Sequence, residues 1–419
     1  MKLISDKSIS VFEKYSNIFK NFSYLSALEV IKLVFPLITI PFLMSKLGEF
    51  NYGTVAFVQS IMLYATVIIN LGLDLSSVKD ISCNKDNKAK LDEIVSSVFI
   101  IKFSIFCLIC ILTLLFTLTI PYFISNRLLV IFSLSYCLME IVFPVWYYQG
   151  IEKMKYITLI RLISIVIYSL LVVCFIRHQN DYIYVPIFYG IGAICGGIFS
   201  FYILRKKERI RFYLPEVKTL LYYFKSTLIL FLSRLSAITN TSFAKIVSGI
   251  LLGMEQVALL DLLEKIIAMA RIPLLTMNSA IYPYISRSRD KKVASQLLKI
   301  TLCFSTLICV GVCLFAEFIL SYLSDGIFHG YGYMLQLFSV YIILCGLTSF
   351  LGVPILVSFG YSKAFTFSLL SSTILLFILY LFVIMVLKLS VIYCIWITLA
   401  VEAFMLIYRY ICCKKESIL

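Results

Sequence analysis

The feature that most constrains this chain is a succession of apolar runs, each long enough to cross a bilayer as an α-helix. Crossing roughly 30 Å of hydrocarbon takes about 20 helical residues. The runs are uniformly apolar and longer than barrel strands, which alternate in polarity, so they predict helices. About twelve runs are found, at 22–44, 54–76, 95–119, 128–150, 156–176, 182–204, 224–252, 256–284, 297–322, 332–358, 362–388 and 390–412. The sequence therefore predicts an all-α integral membrane protein.

The charge balance is basic, with 37 Lys and Arg against 22 Asp and Glu. If the amino terminus is cytoplasmic, 26 of the cations fall in cytoplasmic segments or the run ends next to them, 4 fall on the outer side counted in the same way, and 7 lie deeper within the runs. This distribution follows the positive-inside rule of membrane proteins. We therefore expect both termini in the cytoplasm, lipids as the surroundings and no nucleic-acid partner.

The longest basic segment, RKKERIRFYLPEVK at 205–218, divides the runs into six and six. This division predicts an amino-terminal bundle at 1–210, which includes the cytoplasmic amino terminus and the beginning of that basic segment, and a carboxy-terminal bundle at 211–419. A Leu-Gly pair ends the first run of each half, at Gly48 and Gly253. The two halves are thus expected to be parallel repeats.

Motifs for catalysis or cofactor binding are not found in the sequence. The thirteen cysteines form no metal-binding pattern, and no nucleotide-binding loop follows a strand. The first twenty residues are polar, so no cleavable signal peptide is expected. A membrane glycosyltransferase or polysaccharide polymerase would place acids and arginines in a long outer loop, whereas these outer loops are about ten residues or shorter. We expect no enzyme activity, no cofactor and no metal.

Charged residues within the runs are the informative ones. Each costs roughly 2.5–3.5 kcal/mol at a helix centre, so it is expected to face protein or an aqueous cavity. Arg234 and Lys245 lie eleven residues apart, nearly on one helix face, with no acid on that stripe. A cationic cavity would suit an anionic, phosphate-linked substrate. The substrate-binding candidates are Arg234, Lys245, Arg271, Lys32 and Lys265.

A second interpretation of these charges is structural. Asp261 would pair with Lys265 one helical turn away, Glu29 would pair with Lys32, and Lys102 would extend its ammonium group to the nearby membrane surface. Three intramembrane acids are candidates for coupling to an ion gradient: Glu29, Asp74 and Glu402.

The fourth run ends on the aromatic stretch WYYQG. Trp146, Tyr147 and Tyr148 carry amphipathic rings of the type found at membrane interfaces. Gln149 and Gly150 would then end the helix at the cytoplasmic mouth. We favour an interfacial anchor here, and a gate or a headgroup contact is the alternative.

Four stretches carry a resemblance to a known family: IPFLMSKLGEFNYGTVAFVQSIMLY, NLGLDLSSVKDIS, FPVWYYQGIEKM and GILLGMEQVALLDLLEKI. The chain resembles the O-antigen flippases, which are polysaccharide transporters related to the multidrug and toxin extrusion (MATE) exporters. The resemblance implies two six-helix bundles around a central cavity and alternating access. It implies an undecaprenyl-pyrophosphate-linked oligosaccharide as substrate, moved to the periplasmic leaflet of the inner membrane. Polymerase and chain-length proteins are the partners it implies.

Two alternatives remain open. A cation-coupled exporter of small molecules would share the fold but is expected to have a cavity dominated by acids. A membrane glycosyltransferase or O-antigen polymerase is expected to have the long outer loop described above.

Overall fold

The computed structural model describes the backbone of residues 2–416 and 418. Side chains are described from Val30 onwards, apart from those of Lys32, Ser226, Ile229, Pro283, Ser417 and Leu419. The candidate residues Glu29 and Lys32 therefore lie outside the described side chains.

The described chain is helical. Its α-helices are α1 (Lys2–Asn70), α2 (Leu73–Cys83), α3 (Lys88–Thr119), α4 (Pro121–Ser125), α5 (Arg127–Ser133), α6 (Leu138–Val142), α7 (Val145–Gly150), α8 (Met154–Phe175), α9 (Val185–Tyr202), α10 (Val217–Ser226), α11 (Leu228–Leu251), α12 (Met254–Ser288), α13 (Lys291–Leu314), α14 (Ala316–Leu323), α15 (Gly332–Phe350), α16 (Ser362–Val386) and α17 (Val391–Lys415). Short 3₁₀ turns occupy Leu134–Cys137 and Gln179–Tyr184, and π-helices occupy Ile203–Lys207 and Leu351–Val357.

Nine stretches of the described residues are long and apolar enough to cross a membrane. The first, Leu33–Cys83, is 51 residues long and contains the second predicted run together with the last part of the first. The charged helices α11 and α12, which correspond to the seventh and eighth predicted runs, are not among the nine. The all-α, multi-pass class is thus confirmed, while the count of twelve and the cytoplasmic termini stay predictions.

The first of two compact units consists of the chain up to Pro36, Ile68–Phe175 and Tyr184–Leu230. Within it, α8 and α9 pack closely together. A side chain at Gly192 or Gly196 of α9 would collide with Ser164 of α8. Glycine at these positions therefore lets the two helices approach closely, as expected for small residues four apart.

The second unit consists of Leu37–Val67, Ile176–Ile183 and Phe231–Leu419. Within it, the part of α1 that follows Gly48 packs closely against α12. A side chain at Gly53 would collide with the backbone carbonyl of Met254. This contact brings the polar groups of α1 within hydrogen-bonding distance of those on α12. The division of the chain at residue 210 into two bundles stays a prediction.

Gly48 within α1 and Gly253 between α11 and α12 have the same unusual backbone conformation. Gly48 has φ 73° and ψ 170°, and Gly253 has φ 102° and ψ 169°. This region of backbone space is essentially restricted to glycine. Both were chosen from the sequence as the ends of corresponding runs, and both helix ends are confirmed.

Candidate functional site

The intramembrane charges of the first unit meet in a cluster, here called the Lys102 cluster: Asn70, Asp74, Lys102 and Glu140. The Lys102 ammonium lies 2.7 Å from a carboxylate oxygen of Asp74 and 3.5 Å from one of Glu140. The Asn70 amide donates to both acids, at 2.9 Å from Glu140. Four helices, α1, α2, α3 and α6, are joined in this way.

The expectation that Lys102 extends to the membrane surface is wrong. Helix α3 begins at Lys88, well before the predicted run, so Lys102 lies near the middle of the helix. Its side chain is only 2% exposed. A buried ammonium needs a compensating charge, and the two acids supply it. The prediction was wrong because it placed Lys102 relative to the apolar run that begins at residue 95. The helix itself begins seven residues earlier, at Lys88.

The second unit contains a larger network, here called the Asp261 cluster: Tyr52, Lys245, Asp261, Glu264 and Lys265. Asp261 accepts from Lys245 at 3.1 Å, from Lys265 at 2.7 Å and from the Tyr52 hydroxyl at 2.9 Å. Glu264 lies 2.9 Å from Lys245, and Lys265 also donates to the Tyr52 oxygen at 2.9 Å. The pairing of Asp261 with Lys265 is confirmed.

The Asp261 cluster is balanced, with two cations and two acids. Lys245 had no acid on its own helix face, but α12 supplies both Asp261 and Glu264. Its side chain is 10% exposed, whereas that of Lys265 is 35% exposed. Of these two substrate-binding candidates, Lys265 is therefore the more accessible to a ligand.

A third group of charges, here called the Glu402 cluster, lies on α12, α15 and α17 of the same unit. The Arg271 guanidinium lies over the Tyr341 ring, 5.2 Å from its centroid. Glu402 is 6% exposed and interacts electrostatically with Arg271 and Arg409. Arg409 donates to the Thr348 carbonyl at 2.7 Å. The candidates Arg271 and Glu402 are thus brought together, one cation and one acid of a common network.

Arg234 is placed differently from the other candidates. Its side chain is exposed on α11, and within the described part of the chain it takes part in no ion pair. Among the substrate-binding candidates whose side chains the structure describes, Arg234 is the one that is exposed. The described residues also contain no group of three or more His, Cys, Asp or Glu that could hold a metal ion.

The aromatic stretch of α7 is buried in protein, contrary to the expectation of an interfacial anchor. Trp146, Tyr147 and Tyr148 are 2%, 1% and 0% exposed. The Trp146 ring lies edge-on to Phe99 at 6.1 Å between centroids. The Tyr148 hydroxyl donates to the Ser200 carbonyl at 2.9 Å. Aromatic residues at the end of an apolar run occur both at membrane interfaces and in protein cores. Here they pack in the protein core.

Gly150 explains how α7 comes so close to its neighbour. A side chain at this position would collide with Ile81 of α2. Gln149 is half-buried beside it. The gate role predicted for Trp146, Gln149 and Gly150 stays a prediction.

Replacing Trp146 with alanine is expected to destabilise the first unit by about 3–5 kcal/mol, since a large buried ring would leave a cavity. Trp146→Phe should cost much less because a ring remains against Phe99. Thermal unfolding in detergent measures the difference. A Trp146→Ala protein as stable as the parent would show that the buried position is wrong.

Comparison with known proteins identifies the family. The family model described as "Polysaccharide biosynthesis protein" matches residues 18–289, more than half of the chain. The chain belongs to this family. It is 27% identical over 162 residues to a candidate O-antigen transporter of Escherichia coli K12, an alignment that covers only 39% of each protein. It is 24% identical over 285 residues to a candidate O-antigen transporter of Shigella dysenteriae, covering 66% of this chain and 70% of that relative.

The fold is that of known transporters of the MOP superfamily. The lipid II flippase MurJ, in an inward closed conformation, aligns with a TM-score of 0.76 at 16% identity, covering 93% of this chain and 87% of MurJ. An inward-facing MATE family transporter of the MOP superfamily aligns with a TM-score of 0.70 at 14% identity, covering 91% and 96%. The resemblance inferred from the sequence is thus confirmed for family and fold.

Proposed function

We propose that this member of the polysaccharide biosynthesis protein family translocates undecaprenyl-pyrophosphate-linked O-antigen repeat units. The units would pass by alternating access from the cytoplasmic to the periplasmic leaflet of the bacterial inner membrane. The observation that carries the proposal is the match over 285 residues to a relative named as an O-antigen transporter. The polymerase and chain-length proteins of such a pathway are the proposed partners.

The placement of the cations supports an anionic substrate. Arg234 is exposed and Lys265 is 35% exposed, so each could donate to a phosphate oxygen without leaving a buried acid unpaired. Arginine suits a phosphate group because its planar guanidinium can donate two parallel hydrogen bonds to two phosphate oxygens. We assign Arg234 the primary contact with the pyrophosphate. In this assignment Lys245 holds the structure around the site and does not bind substrate.

A cation-coupled exporter of small molecules is the second candidate. It is favoured by the likeness to MATE transporters and by the Lys102 cluster, in which two acids face one cation. Asp74 and Glu140 each have side chains 29% exposed, so a small cation could reach them. In a flippase, the proposed candidates for ion coupling are Asp74, Glu402 and Glu29. We propose transport and no enzyme activity in either case.

The test is leaflet-resolved detection of lipid-linked repeat units in cells that lack the protein. A flippase predicts single units accumulating on the cytoplasmic face. Single units on the periplasmic face would contradict the proposal and indicate polymerisation instead. Unchanged distribution, together with lost resistance to toxic compounds, would indicate the exporter.

In complemented cells, Arg234→Gln is expected to slow translocation about tenfold or more, because a charge-assisted hydrogen bond is worth about 1.5–3 kcal/mol. Arg127→Gln is the matched control, since Arg127 is likewise an exposed arginine. Both variants should be compared at equal membrane levels. Equal rates for the two variants would remove Arg234 from the site.

A further inference from the structure

The segment at 205–218, here called the basic segment, lies where the chain leaves the membrane. The membrane-spanning stretch Gln179–Lys207 ends within it, and α11 begins soon after it, at Leu228. A segment that directly follows the end of a membrane span is expected at the level of the lipid headgroups.

The backbone of the basic segment is fixed by α3. The N–H of Arg211 donates to the Asp92 carboxylate at 3.0 Å, and the N–H of Tyr213 donates to the Ser96 hydroxyl at 3.2 Å. Ile210 is buried, 2% exposed. The side chains of Arg209 and Arg211, on either side of Ile210, are exposed, so these two cations stand next to an anchored backbone. Such preorganisation lowers the entropy lost on binding a ligand.

The surface of this region is strongly cationic. The basic segment contains two acids, Glu208 and Glu216. Glu208 is paired with Lys153 at 2.6 Å, so Glu216 is the acid of the segment that can offset its own cations. Seven exposed cations lie on the basic segment and α10: Arg205, Lys206, Lys207, Arg209, Arg211, Lys218 and Lys225. Within the described residues, Lys206, Arg209 and Arg211 take part in no ion pair.

Large apolar side chains are exposed beside these cations. Leu214 is 80% exposed, Val217 70%, Tyr222 69% and Leu221 49%. A site for nucleic acid or an acidic protein needs the cations but gains little from four bare apolar groups. A lipid surface uses both, because phosphates meet the cations and acyl chains cover the apolar groups.

We propose that the basic segment and α10 form a binding site for anionic phospholipid at the membrane surface. Lys206, Arg209 and Arg211 hold the headgroup phosphate, and Leu214 and Val217 enter the acyl region. The site is separate from the clusters of charge within the helices and does not depend on which substrate is transported.

The experiment uses the full-length protein, titrated with phosphatidylglycerol or phosphatidylcholine in detergent and followed by native mass spectrometry. The triple variant Lys206→Gln, Arg209→Gln and Arg211→Gln is expected to bind phosphatidylglycerol about 100-fold more weakly, with phosphatidylcholine unaffected. All three side chains are exposed, so the fold should be retained, as thermal unfolding will check.

A second basic turn supplies the matched control, Arg287→Gln, Arg289→Gln and Lys292→Gln. It removes the same number of exposed charges, and Arg289 has φ 45° where Arg209 has φ 54°. The proposal expects this variant to retain the parent's affinity for phosphatidylglycerol. An equal loss in both triples would overturn it, because the effect would then reflect net charge alone.

Two further arms separate the contributions. Leu214→Asn is expected to weaken the binding of phosphatidylglycerol about tenfold. An apolar side chain of this size contributes about that factor to the affinity when lipid covers it fully. Glycerol 3-phosphate, which has the headgroup without acyl chains, should not compete at millimolar concentration. Full competition would make this a site for free phosphate compounds. If the triple variant of the basic segment bound phosphatidylglycerol as tightly as the parent, the lipid site would be overturned. An acidic macromolecule would then be the candidate ligand of the basic segment.

Discussion

Replacing Lys102 with methionine is expected to lower the free energy of unfolding by about 3–5 kcal/mol. Lys102 is 2% exposed and is the cation between Asp74 and Glu140. Without it, the repulsion between the two carboxylates is no longer offset by a shared cation, although the Asn70 amide still donates to both acids. The loss should be seen as a lower unfolding temperature in detergent and a lower level in membranes.

A surface pair provides the control for Lys102. Lys85 and Glu152 lie 2.6 Å apart, as close as Lys102 and Asp74, but their side chains are 34% and 69% exposed. Lys85→Met should cost less than about 1 kcal/mol, since water screens an exposed pair. The double variant Lys102→Met and Asp74→Asn should recover part of the loss by removing one unpaired charge. Equal costs for Lys85→Met and Lys102→Met would contradict the burial of the Lys102 cluster.

The sequence predicted well those features that depend on neighbours along the chain. Asp261 and Lys265 are one helical turn apart, and their pairing follows from helix geometry. Gly48 and Gly253 were identified because a Leu-Gly pair ends an apolar run, and the local backbone confirms both. The class of the protein followed from the length and polarity of the runs, which bilayer thickness constrains directly.

Contacts between helices could not be predicted in this way. Lys245 pairs with Asp261 and Glu264, which lie on the next helix, so the contact depends on how α11 and α12 are rotated about their axes. The same applies to Lys102, whose acids come from α2 and α6. Trp146 shows a related limit, because composition at the end of a run does not distinguish a ring in lipid from a ring in a core.

Asp261 is the centre of the second large expected effect. Its carboxylate is 2% exposed and accepts from Lys245, Lys265 and Tyr52. Asp261→Asn removes the charge and leaves two cations with Glu264 alone, so we expect a loss of about 3–5 kcal/mol. Glu255→Gln, an exposed acid on the same helix, should change stability by less than about 0.5 kcal/mol.

A double variant decides whether charge balance is the cause. Asp261→Asn with Lys265→Gln returns the Asp261 cluster to one cation and one acid, Lys245 and Glu264, at 2.9 Å. If the network acts as a unit, the double variant should be more stable than Asp261→Asn alone, with a coupling energy of about 0.5–3 kcal/mol. Strictly additive losses would mean that Asp261 and Lys265 act independently. Because Lys265 is also a substrate-binding candidate, transport should be measured on the same proteins. A double variant that regains stability but not transport would separate the structural role of Asp261 from a ligand-binding role of Lys265.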